Sequence, residues 1–407
     1  MTRLLVLGGG RHQAPLIRRA EERGIEAVVV DYLVDSPGHR IASHSQVADA
    51  TDPELAAQIA ETFQVDGVVT TGTDIPIRAM AAVADKLGAP CYVDTATARM
   101  ATDKQAMHTA LSSAGVAMAR WVVVDEGVTL GWTPMPAVVK PADSQGQRGV
   151  TSVLKISDLP KAIDNARSVS RSGRVIVEEF LEGPEFTANA WVQDGEIRLL
   201  MVNDRITFNP RPYLGIAYQH RYPSQAATSI IDPVRDITQR TAKAYRIDTG
   251  PLYIQMIRTG TGPMVVEAAA RIGGGHESRM MLHLTGWSSD DALIDLALGQ
   301  PPIPPLPLPE DSHALVNFIL GRRGKVGTVE PFLPGDGIIE SEWYVNRGDL
   351  LKDVTDSLGR IGYFLADGST ADDLMDKATA YYAALDLRSD EGMNLVRIPE
   401  RESLNLP

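Results

Sequence analysis

The sequence from Val138 to Val150 reads VVKPADSQGQRGV, which places a lysine at the end of a β-branched run and a glycine-containing loop directly after it. Glycine lets backbone N–H groups approach an anion closely, and Lys140 and Arg148 would add positive charge on both sides of the loop. The spacing is not Gly-x-x-x-x-Gly-Lys-Ser/Thr, which excludes a P-loop. Taken alone, the stretch favours a hairpin turn with two solvated cations, and only the rest of the chain favours an anion-binding loop.

The bulk composition describes an acidic protein that is large enough for more than one domain. A chain of 407 residues can form two or three domains with sizeable cores. The formal charge of −13 argues against nucleic acid and anionic membranes as partners, so an anionic ligand would need a local cluster of cations. The single cysteine, Cys91, excludes an internal disulfide and fits a reducing compartment. Because no apolar run suits a signal peptide or a membrane span, the sequence predicts a cytoplasmic protein.

Strands and helices alternate over the first hundred residues. Aliphatic runs predict strands, and capped amphipathic runs predict helices. The strands are predicted at Arg3–Leu7, Ala27–Val30 and Gly67–Thr70, and the helices at Ala14–Arg23, Pro53–Phe63 and Ile75–Leu87. This alternation is typical of an open parallel α/β sheet, which we assign to residues 1–100.

A glycine turn, Gly8–Gly10, follows the first predicted strand and raises the competing hypothesis of an NAD(P)-dependent oxidoreductase. Asp31 lies 21 residues after Gly10, near the position expected for a ribose ligand. Gln13, however, stands where the fingerprint needs a third glycine so that the helix can pack closely on the strand. Since glycine turns are common in α/β sheets, dinucleotide binding is the weaker hypothesis.

Two features of the central region suit a nucleotide. Lys104 follows the capping residues Thr102 and Asp103, and a lysine in the first turn of a helix opposes the helix dipole. Farther along, residues 178–186 read EEFLEGPEF after a β-branched run. Backbone groups at such a strand end can bind a base edge, and Glu185 can accept from ribose hydroxyls, although an acidic surface turn is the simpler interpretation.

Residues 203–224 are predicted to form an irregular, proline-rich loop. The segment carries Arg205, His220 and Arg221. Because long irregular loops in compact domains are often functional, these cations and His276 are candidates to hold a substrate carboxylate. Simple solvation of the side chains is the competing interpretation.

A glutamate, Glu267, lies inside an otherwise apolar predicted strand that leads to Arg271 and to the glycines at 273–275. A charge in such a strand is costly unless it is paired or bound to a cation. Either Glu267 and Arg271 form an ion pair, or Glu267 binds a metal and Arg271 an anion beside it. The glycines favour the second interpretation, since they open space for a ligand.

The end of the chain is predicted to be a separate unit. Residues 301–310 are rich in proline, which is typical of a stiff, extended linker. Strands are predicted at His313–Leu320, Gly337–Glu340 and Ile361–Ala366, and a helix at Thr370–Leu385. These elements make residues 311–407 a small α+β domain.

Taken in order, these pieces resemble the ATP-grasp superfamily, in particular its carboxylate–amine ligases related to biotin carboxylase and carbamoyl-phosphate synthase. The resemblance covers nearly the whole chain and rests on an ordered set of motifs. These are Thr-Asp-Lys at 102–104, Val-Val-Lys-Pro at 138–141 with the loop after it, Glu-Glu-Phe-Leu-x-Gly-x-Glu at 178–185, and Glu-x-x-x-Arg-x-Gly-Gly at 267–274. The implied fold is an N-terminal open parallel α/β sheet, a two-lobed ATP-grasp clamp over 101–300 with its lid lobe at about 115–180, and the C-terminal α+β domain.

The resemblance implies ATP and Mg²⁺ as cofactors and gives roles to the motif residues. The residues implied for ATP are Lys104 and Lys140 at the phosphates, Ser144, Gln145, Gly146, Arg148 and Gly149 in a closing loop, Glu178, Glu179, Phe180 and Leu181 at the adenine, and Glu185 at the ribose. The residues implied for the metal are Glu267 and Gln255. The residues taken as substrate ligands are Arg271, Gly273, Gly274, His276 and Arg221, and the implied catalytic residues are Arg271, Lys140 and Arg148.

The sequence departs from the family pattern at two positions. Gln255 stands where the family often has an acidic metal ligand, and Ala269 stands where it usually has an asparagine. Both changes would weaken a second metal site. The resemblance as a whole implies a ligase that activates a carboxylate as an acyl phosphate and joins it to an amine. The expected partners are small-molecule substrates such as amino acids, and a homodimer is implied as well. A nucleotide-binding relative without catalysis is the competing hypothesis.

Overall fold

A computed structural model describes residues 1–125, 131–132, 134–303, 305, 308–309, 311–332 and 335–405. Its helices and strands form an N-terminal α/β layer, a small antiparallel sheet and a large antiparallel sheet, together with several short strands. Within these residues, no helix has the length and apolar character that a membrane span requires.

The N-terminal layer is the open parallel sheet that the sequence predicts. In chain order its elements are β1 (Arg3–Leu7), α1 (Ala14–Glu22), β2 (Glu26–Asp31), β3 (His44–Val47), α2 (Pro53–Phe63), β4 (Gly67–Val69), α3 (Ile77–Leu87), α4 (Thr95–Met100) and α5 (Lys104–Ser113). The strands pair in parallel in the order β3-β2-β1-β4. The carboxyl ends of β1 and β4 therefore lie side by side, and both loops that follow them reach the site described below.

The small sheet carries the lysine of the 138–150 stretch. Its elements are β5 (Trp121–Val124), β6 (Ala137–Pro141), β7 (Thr151–Val153), α6 (Leu159–Val169) and β8 (Val175–Glu179). The strands are antiparallel in the order β5-β8-β6-β7, and α6 packs against them around Val139 and Ile163. The predicted lid lobe includes this sheet, although its residues 126–130 and 133 lie outside the described part of the chain.

The large sheet is antiparallel and runs in the order β13-β12-β9-β10-β11-β14-β18-β16. Its first elements are β9 (Glu185–Gln193), β10 (Glu196–Phe208), β11 (Ile216–Tyr222), α7 (Ile231–Ala244), β12 (Gly250–Thr259), β13 (Gly262–Ala269), α8 (Glu277–Thr285) and α9 (Ser289–Ala297). One hydrophobic cluster contains Leu5 and Met80 from the N-terminal layer and Ile254 from β12. The N-terminal layer and the large sheet therefore share a core.

The prediction of an irregular loop at 203–224 is wrong. β10 continues to Phe208, and β11 pairs with it through Asp204↔Arg221 and Arg205↔His220. Buried polar side chains hide the strand pattern here: Asn203, Arg205 and His220 are all less than 9% exposed. They pair with one another and with other buried groups, so burial does not leave them unsatisfied.

The C-terminal strands continue the large sheet. The elements are β14 (His313–Gly321), β15 (Gly324–Val329), β16 (Ile338–Trp343), β17 (Leu350–Leu351), β18 (Arg360–Gly368), α10 (Ala371–Ala384), β19 (Leu387–Ser389), β20 (Val396–Arg397) and β21 (Leu404–Asn405). β14 pairs with β11 and β18, whereas β15, β17 and β19 form a small sheet of their own. The predicted linker 301–310 lies outside the described residues at 304, 306, 307 and 310. The predicted division into domains remains a proposal, since the segments before and after the linker share one sheet.

Candidate active site

Lys140 and Glu178 form an ion pair at the ends of two strands of the small sheet. Val138 is opposite Glu178 in the β6–β8 register. Lys140 is the next residue of β6 on the same face as Val138, so it is the diagonal neighbour of Glu178. Lys140 Nζ lies 2.5 Å from Glu178 Oε1, and His108 Nε2 lies 2.7 Å from the same oxygen. Burial raises the pKa of the Glu178 carboxyl, but the Lys140 cation and His108 outweigh burial and lower this pKa to about 2. Lys140 is thus a buried cation that is held in place by Glu178.

Lys104 connects the helix start, the loop after β6 and the large sheet. Its backbone N–H donates to Ala142 O (2.9 Å), and its ammonium donates to Ser144 O (2.8 Å). The same ammonium lies 3.5 Å from Glu267 Oε1. These contacts account for a lysine in the first turn of α5, where the helix dipole opposes a cation.

Glu267 is an anion inside strand β13, close to the end of that strand, and its charge interacts with several cations. Burial raises the pKa of its carboxyl, while Lys104, Arg271 and Lys140 together hold that pKa below its ordinary value. Gln255 is directly opposite Glu267 in the β12–β13 register. The Gln255 amide donates to Glu185 Oε1 (3.0 Å), which leaves its carbonyl oxygen as the atom that can bind a cation.

The acidic residues alone do not form a metal cage. Among the described residues there is no group of three or more His, Cys, Asp or Glu side chains that could hold a metal ion. Mg²⁺ commonly takes one or two protein carboxylates and completes its shell with substrate phosphates and water. The carboxylate of Glu267 and the oxygen of Gln255 fit a Mg²⁺ ion that is bound together with a nucleotide.

Arg271 faces a partner that the sequence did not indicate. Its guanidinium forms a bidentate ion pair with Asp74, in the loop after β4, and Nη2 lies 3.1 Å from Asp74 Oδ2. β13 ends at Ala269, so Arg271 no longer follows the strand alternation that placed it on the face of Glu267. Of the two interpretations offered for this region, the direct Glu267–Arg271 pair is wrong.

The loop of residues 144–149 begins at a small cavity that is lined by Lys104, Glu267 and Asp74 as well as by Ser144 and Gln145, and it contacts two neighbouring parts of the fold. Gln145 Oε1 accepts from Asp74 N (3.0 Å), and Gly146 O accepts from Ser357 N (3.1 Å). Gly149 has φ +75°, and a Cβ there would come within 2.9 Å of Pro141, so the turn requires glycine. The Ser144 hydroxyl is buried without a hydrogen-bond partner in the described structure. Arg148 is exposed, and within the described part of the chain its recorded hydrogen bond is the one it donates to Gln145 O (3.3 Å).

The residues predicted at the base and ribose differ in exposure and in their partners. The Glu179 carboxylate pairs with Arg120 at 2.9 Å, and its backbone N–H donates to Arg120 O. Phe180 is 36% exposed and Leu181 is partly buried. Glu185 is buried in an ion pair with Arg205. A ribose hydroxyl would therefore meet a carboxylate that already has a strong partner.

The glycines after Arg271 allow a tight approach between the N-terminal layer and the large sheet. A Cβ on Gly274 would lie 2.7 Å from Gly72 O, and one on Gly273 would lie 2.8 Å from the Glu277 carboxylate. His276, at the start of α8, stacks on Tyr363 with ring centroids 3.8 Å apart. Its Nε2 lies 2.6 Å from the Tyr344 hydroxyl. Gly273 and Gly274 follow Arg271 closely in the chain, whereas the ring of His276 contacts Tyr344 and Tyr363 of the C-terminal segment.

Arg221 is not brought to this cluster. It is adjacent to His220 on β11, and adjacent strand residues point to opposite faces. Its guanidinium pairs with Asp204 at 3.0 Å and lies near Met375. His220 is on the site face, where it contacts Asn203 and Glu277.

The structure adds residues that sequence reasoning missed, notably Asp74, His12, Glu277 and Arg360. The His12 ring lies 5.3 Å from that of His276, and burial, followed by the charges of Arg360 and Arg271, lowers the pKa of His12 to about 4. The signals in the sequence were weak: Asp74, His12 and Arg360 lie in turns or at a strand end far from the motifs, and Glu277, the first residue of α8, follows the motif at 267–274 without belonging to it. Only the fold brings them together.

Side chains of the protein itself fill the space around the glycine turn after β1. The Asp31 carboxylate accepts from Gly9 N (2.7 Å) and Leu33 N (2.8 Å). The Gln13 amide donates to Thr71 O (2.5 Å) and fills the space against Gly8 that a dinucleotide fingerprint keeps open. This geometry gives the oxidoreductase hypothesis no support.

Comparison with known proteins identifies the class of the central region. Residues 133–279 match the model of the ATP-grasp domain, so the chain contains an ATP-grasp domain. Over 327 residues it is 26% identical to an L-arginine-specific L-amino acid ligase of Bacillus subtilis, covering 73% of this chain and 75% of the relative. Over 213 residues it is 29% identical to a formate-dependent phosphoribosylglycinamide formyltransferase of Bordetella parapertussis, covering 50% of each chain. The chain thus spans only about half the length of that formyltransferase.

Solved structures show that the fold extends over nearly the whole chain. An L-amino acid ligase from Bacillus licheniformis superposes with a TM-score of 0.80 and 19% identity, covering 96% of this chain and 99% of that one. A phosphoribosylglycinamide synthetase from Anaerococcus prevotii superposes with a TM-score of 0.75 and 22% identity, covering 96% and 100%. At these identities the likeness shows the fold, which is the ATP-grasp fold expected from the motifs.

Proposed function

We propose that this protein is an ATP- and Mg²⁺-dependent ligase that converts a carboxylate into an acyl phosphate and joins it to an amine, releasing ADP and phosphate. The observation that carries the proposal is the cluster of Lys104, Lys140 and Glu267 beside the loop of residues 144–149. Lys104 contacts both Glu267 and Ser144 O, and the charge of Lys140 acts on Glu267. Two cations and one carboxylate under a glycine-containing loop suit the phosphates of a nucleotide and a metal ion.

In this proposal each charged residue has a separate task. Lys104 and Lys140 bind the phosphates, and Glu267 and Gln255 hold Mg²⁺. The ion, when bound, neutralises charge on the phosphates during transfer. Arg271 is fixed by Asp74 and binds the phosphoryl group as it moves to the carboxylate oxygen. Since a carboxylate is a poor electrophile, the acyl phosphate supplies the leaving group that an amine can displace.

The loop of residues 144–149 excludes water from that reactive product. Its contacts to Asp74 and Ser357 connect it with the N-terminal layer and with the C-terminal strands. Closure of the loop therefore requires that the segments carrying Asp74 and Ser357 are both in contact with it. We infer that Arg148, which is exposed here, turns towards the phosphates when they are bound.

Amino acids are the substrates that we propose to test first. The sequence similarity to the Bacillus subtilis ligase covers about three quarters of both chains. Of the two solved structures described above, the L-amino acid ligase from Bacillus licheniformis has the higher TM-score. We also propose that the protein acts in the cytoplasm and as a homodimer, which sedimentation analysis of the full chain would test. Cys91 as the only cysteine suits a reducing compartment.

The experiment is a turnover assay with Mg²⁺ and ATP across pairs of amino acids, resolving ADP from AMP. We expect ADP to appear only with particular pairs and to be lost in Lys140→Ala and in Glu267→Ala. Lys155→Ala is the matched control, because Lys155 is exposed. Full activity in both site variants, or AMP as the product, would contradict the proposal.

A second candidate is a nucleotide-binding protein without catalysis. It is favoured by Gln255 and Ala269, which stand in place of the expected acid and asparagine, and by the lack of a cluster of three acids among the described residues. This candidate predicts that ATP binds with Mg²⁺ and that no pair of substrates causes turnover.

A further inference from the structure

The turn that joins β10 to β11, residues 209–215, reaches the small sheet. Ser152 N donates to Pro212 O (2.9 Å), and Ser152 Oγ donates to the same oxygen (3.2 Å). Thr151 forms an antiparallel bridge with Tyr213. Since β7 is the edge strand of the small sheet, the turn adds to the free side of that sheet. The small sheet and the large sheet are therefore joined at this point by backbone contacts.

Internal contacts make the 209–215 turn stiff. Gly215 N donates to Asn209 Oδ1 (2.6 Å), and Tyr213 N donates to Pro210 O (2.9 Å). The Tyr213 side chain packs against a hydrophobic cluster at the end of β10 and the start of β11. Because Pro210 and Pro212 also fix two φ angles, a constraint on one end of the turn constrains the rest of it.

A buried arginine, Arg205, connects this turn with the proposed nucleotide site. Its Nη2 donates to Gly215 O (2.8 Å), and its Nη1 forms an ion pair with Glu185, the residue that the motifs place at the ribose. The side chain is planar and only 6% of the residue is exposed. The guanidinium therefore bridges a carboxylate and a backbone carbonyl in a fixed geometry.

The Glu185 carboxylate can accept a further hydrogen bond. A carboxylate has about four lone-pair positions. Among the described residues, Gln255 donates to one oxygen and Arg205 to the other. A ribose hydroxyl can therefore donate to Glu185 without displacing Arg205, and this added bond restricts the motion of both side chains. Restriction at one site lowers the entropy cost of ordering a connected site, and such coupling is reciprocal.

We propose that Arg205 is a positioning residue that couples the ribose hydroxyls of a bound nucleotide to the contact between the 209–215 turn and Ser152. The inference rests on the proposed function, with Glu185 at the ribose. It means that the two sheets are held together more firmly around a nucleotide with ribose hydroxyls than around one without them. The loop of residues 144–149 is close enough to be affected, because a Cβ on Gly215 would lie 3.1 Å from Gln147 Oε1.

The test is hydrogen exchange of the Ser152 amide, because this N–H donates to Pro212 O. It is measured on the full chain by mass spectrometry that resolves single amides, with Mg²⁺ and saturating ADP or saturating 2′,3′-dideoxy-ADP. We expect exchange of Ser152 to be roughly threefold to tenfold slower with ADP than with the dideoxy nucleotide, which is the effect of about one hydrogen bond. The amide of Ile176, in the interior of the small sheet, should exchange equally with both. Equal exchange of Ser152 with both nucleotides would overturn the proposal.

Arg205→Lys removes the bridge and keeps a positive charge beside Glu185, because one ammonium cannot replace two separate nitrogens. Without nucleotide, Ser152 should exchange roughly threefold or more faster in this variant than in the wild type, and the two nucleotides should then slow it equally. Arg221→Lys is the matched control, since Arg221 pairs with Asp204 on the opposite face of the sheet. A nucleotide difference that persists in Arg205→Lys, or that is also lost in Arg221→Lys, would overturn the proposal.

Asn209→Ala tests the same link and leaves Arg205 and Glu185 unchanged. It removes the oxygen that accepts from Gly215 N, so it loosens the turn alone. We expect it to weaken the binding of ADP roughly threefold and to leave the Kd of 2′,3′-dideoxy-ADP unchanged. An equal loss for both nucleotides would be a purely structural effect and would overturn the proposal.

The outcomes separate this proposal from the proposed function. If neither nucleotide binds the wild type or raises its Tm, the proposed function is contradicted and the proposal with it. If both nucleotides bind and Ser152 exchanges equally with each, the proposal alone is contradicted.

Discussion

The replacement Glu178→Gln removes the charge that holds Lys140 and is expected to destabilise the protein strongly. Glu178 is 6% exposed, and the pKa of its carboxyl is about 2 instead of 4.5. At about 1.4 kcal/mol per pKa unit, this difference corresponds to about 3 kcal/mol of folding free energy near pH 7. The same size is expected when one partner of a buried ion pair is lost, since Lys140 would remain buried without its counter-charge.

Urea unfolding of both proteins at several pH values measures this contribution. Because the pKa of Glu178 is depressed in the folded state, its contribution is complete above pH 4.5 and is lost as the pH falls towards 2. The difference between the wild type and Glu178→Gln should therefore be largest near neutral pH and should shrink below pH 4.5. Trp121 is a local fluorescent reporter, because it is opposite Glu178 on β5 and its ring lies 4.9 Å from that of His108.

Glu179→Gln is the matched control for this experiment. The Glu179 carboxylate pairs with Arg120, whose side chain is 70% exposed, so solvent screens the pair. We expect a loss of at most about 1 kcal/mol in Glu179→Gln. Equal stability of Glu178→Gln and the wild type at pH 7, or a difference that grows as the pH falls from 4.5, would refute this account of Lys140.

Two further predictions concern the ligands of the proposed metal and phosphate. Gln255→Glu places a second carboxylate opposite Glu267 and should lower, by about tenfold, the Mg²⁺ concentration at which ADP raises the Tm; an unchanged Mg²⁺ dependence would contradict the role of Gln255. Asp74→Asn leaves the buried guanidinium of Arg271 without its counter-charge and should lower stability by about 3 kcal/mol. Inorganic phosphate should raise the Tm of this variant and leave the Tm of the wild type unchanged. An equal rise of the Tm in both proteins would contradict an anion site at Arg271.

The overall fold could be predicted from the sequence because its signals are local. Alternating aliphatic strands and capped helices define the parallel layer, as in Arg3–Leu7 and in the helix that begins after Asp52. The motif lysines Lys104 and Lys140 likewise stand at element ends that short-range patterns predict. The failure at 203–224 has a physical cause: the strands there bury polar side chains that satisfy one another across the sheet, and this burial removes the hydrophobic alternation.

The partners within the site could not be predicted, because they depend on contacts between distant segments. Arg271 pairs with Asp74, 197 residues away, rather than with Glu267. Arg360 reaches the site through a single extra residue in β18, and no property of its sequence neighbours indicates that bulge. In addition, the C-terminal strands join the large sheet, so a segment that was predicted to be separate supplies part of the site.

If the protein activates a carboxylate by phosphorylation, an oxygen atom of that carboxylate leaves with the phosphate, and an isotope label can follow it. With a substrate pair that supports turnover, the carboxylate substrate would be labelled with ¹⁸O, and the released phosphate would be analysed by mass spectrometry. Attack of the carboxylate oxygen on the γ-phosphorus predicts one ¹⁸O atom in each phosphate, with ADP as the other product. Unlabelled phosphate, or label in AMP, would contradict the proposed mechanism.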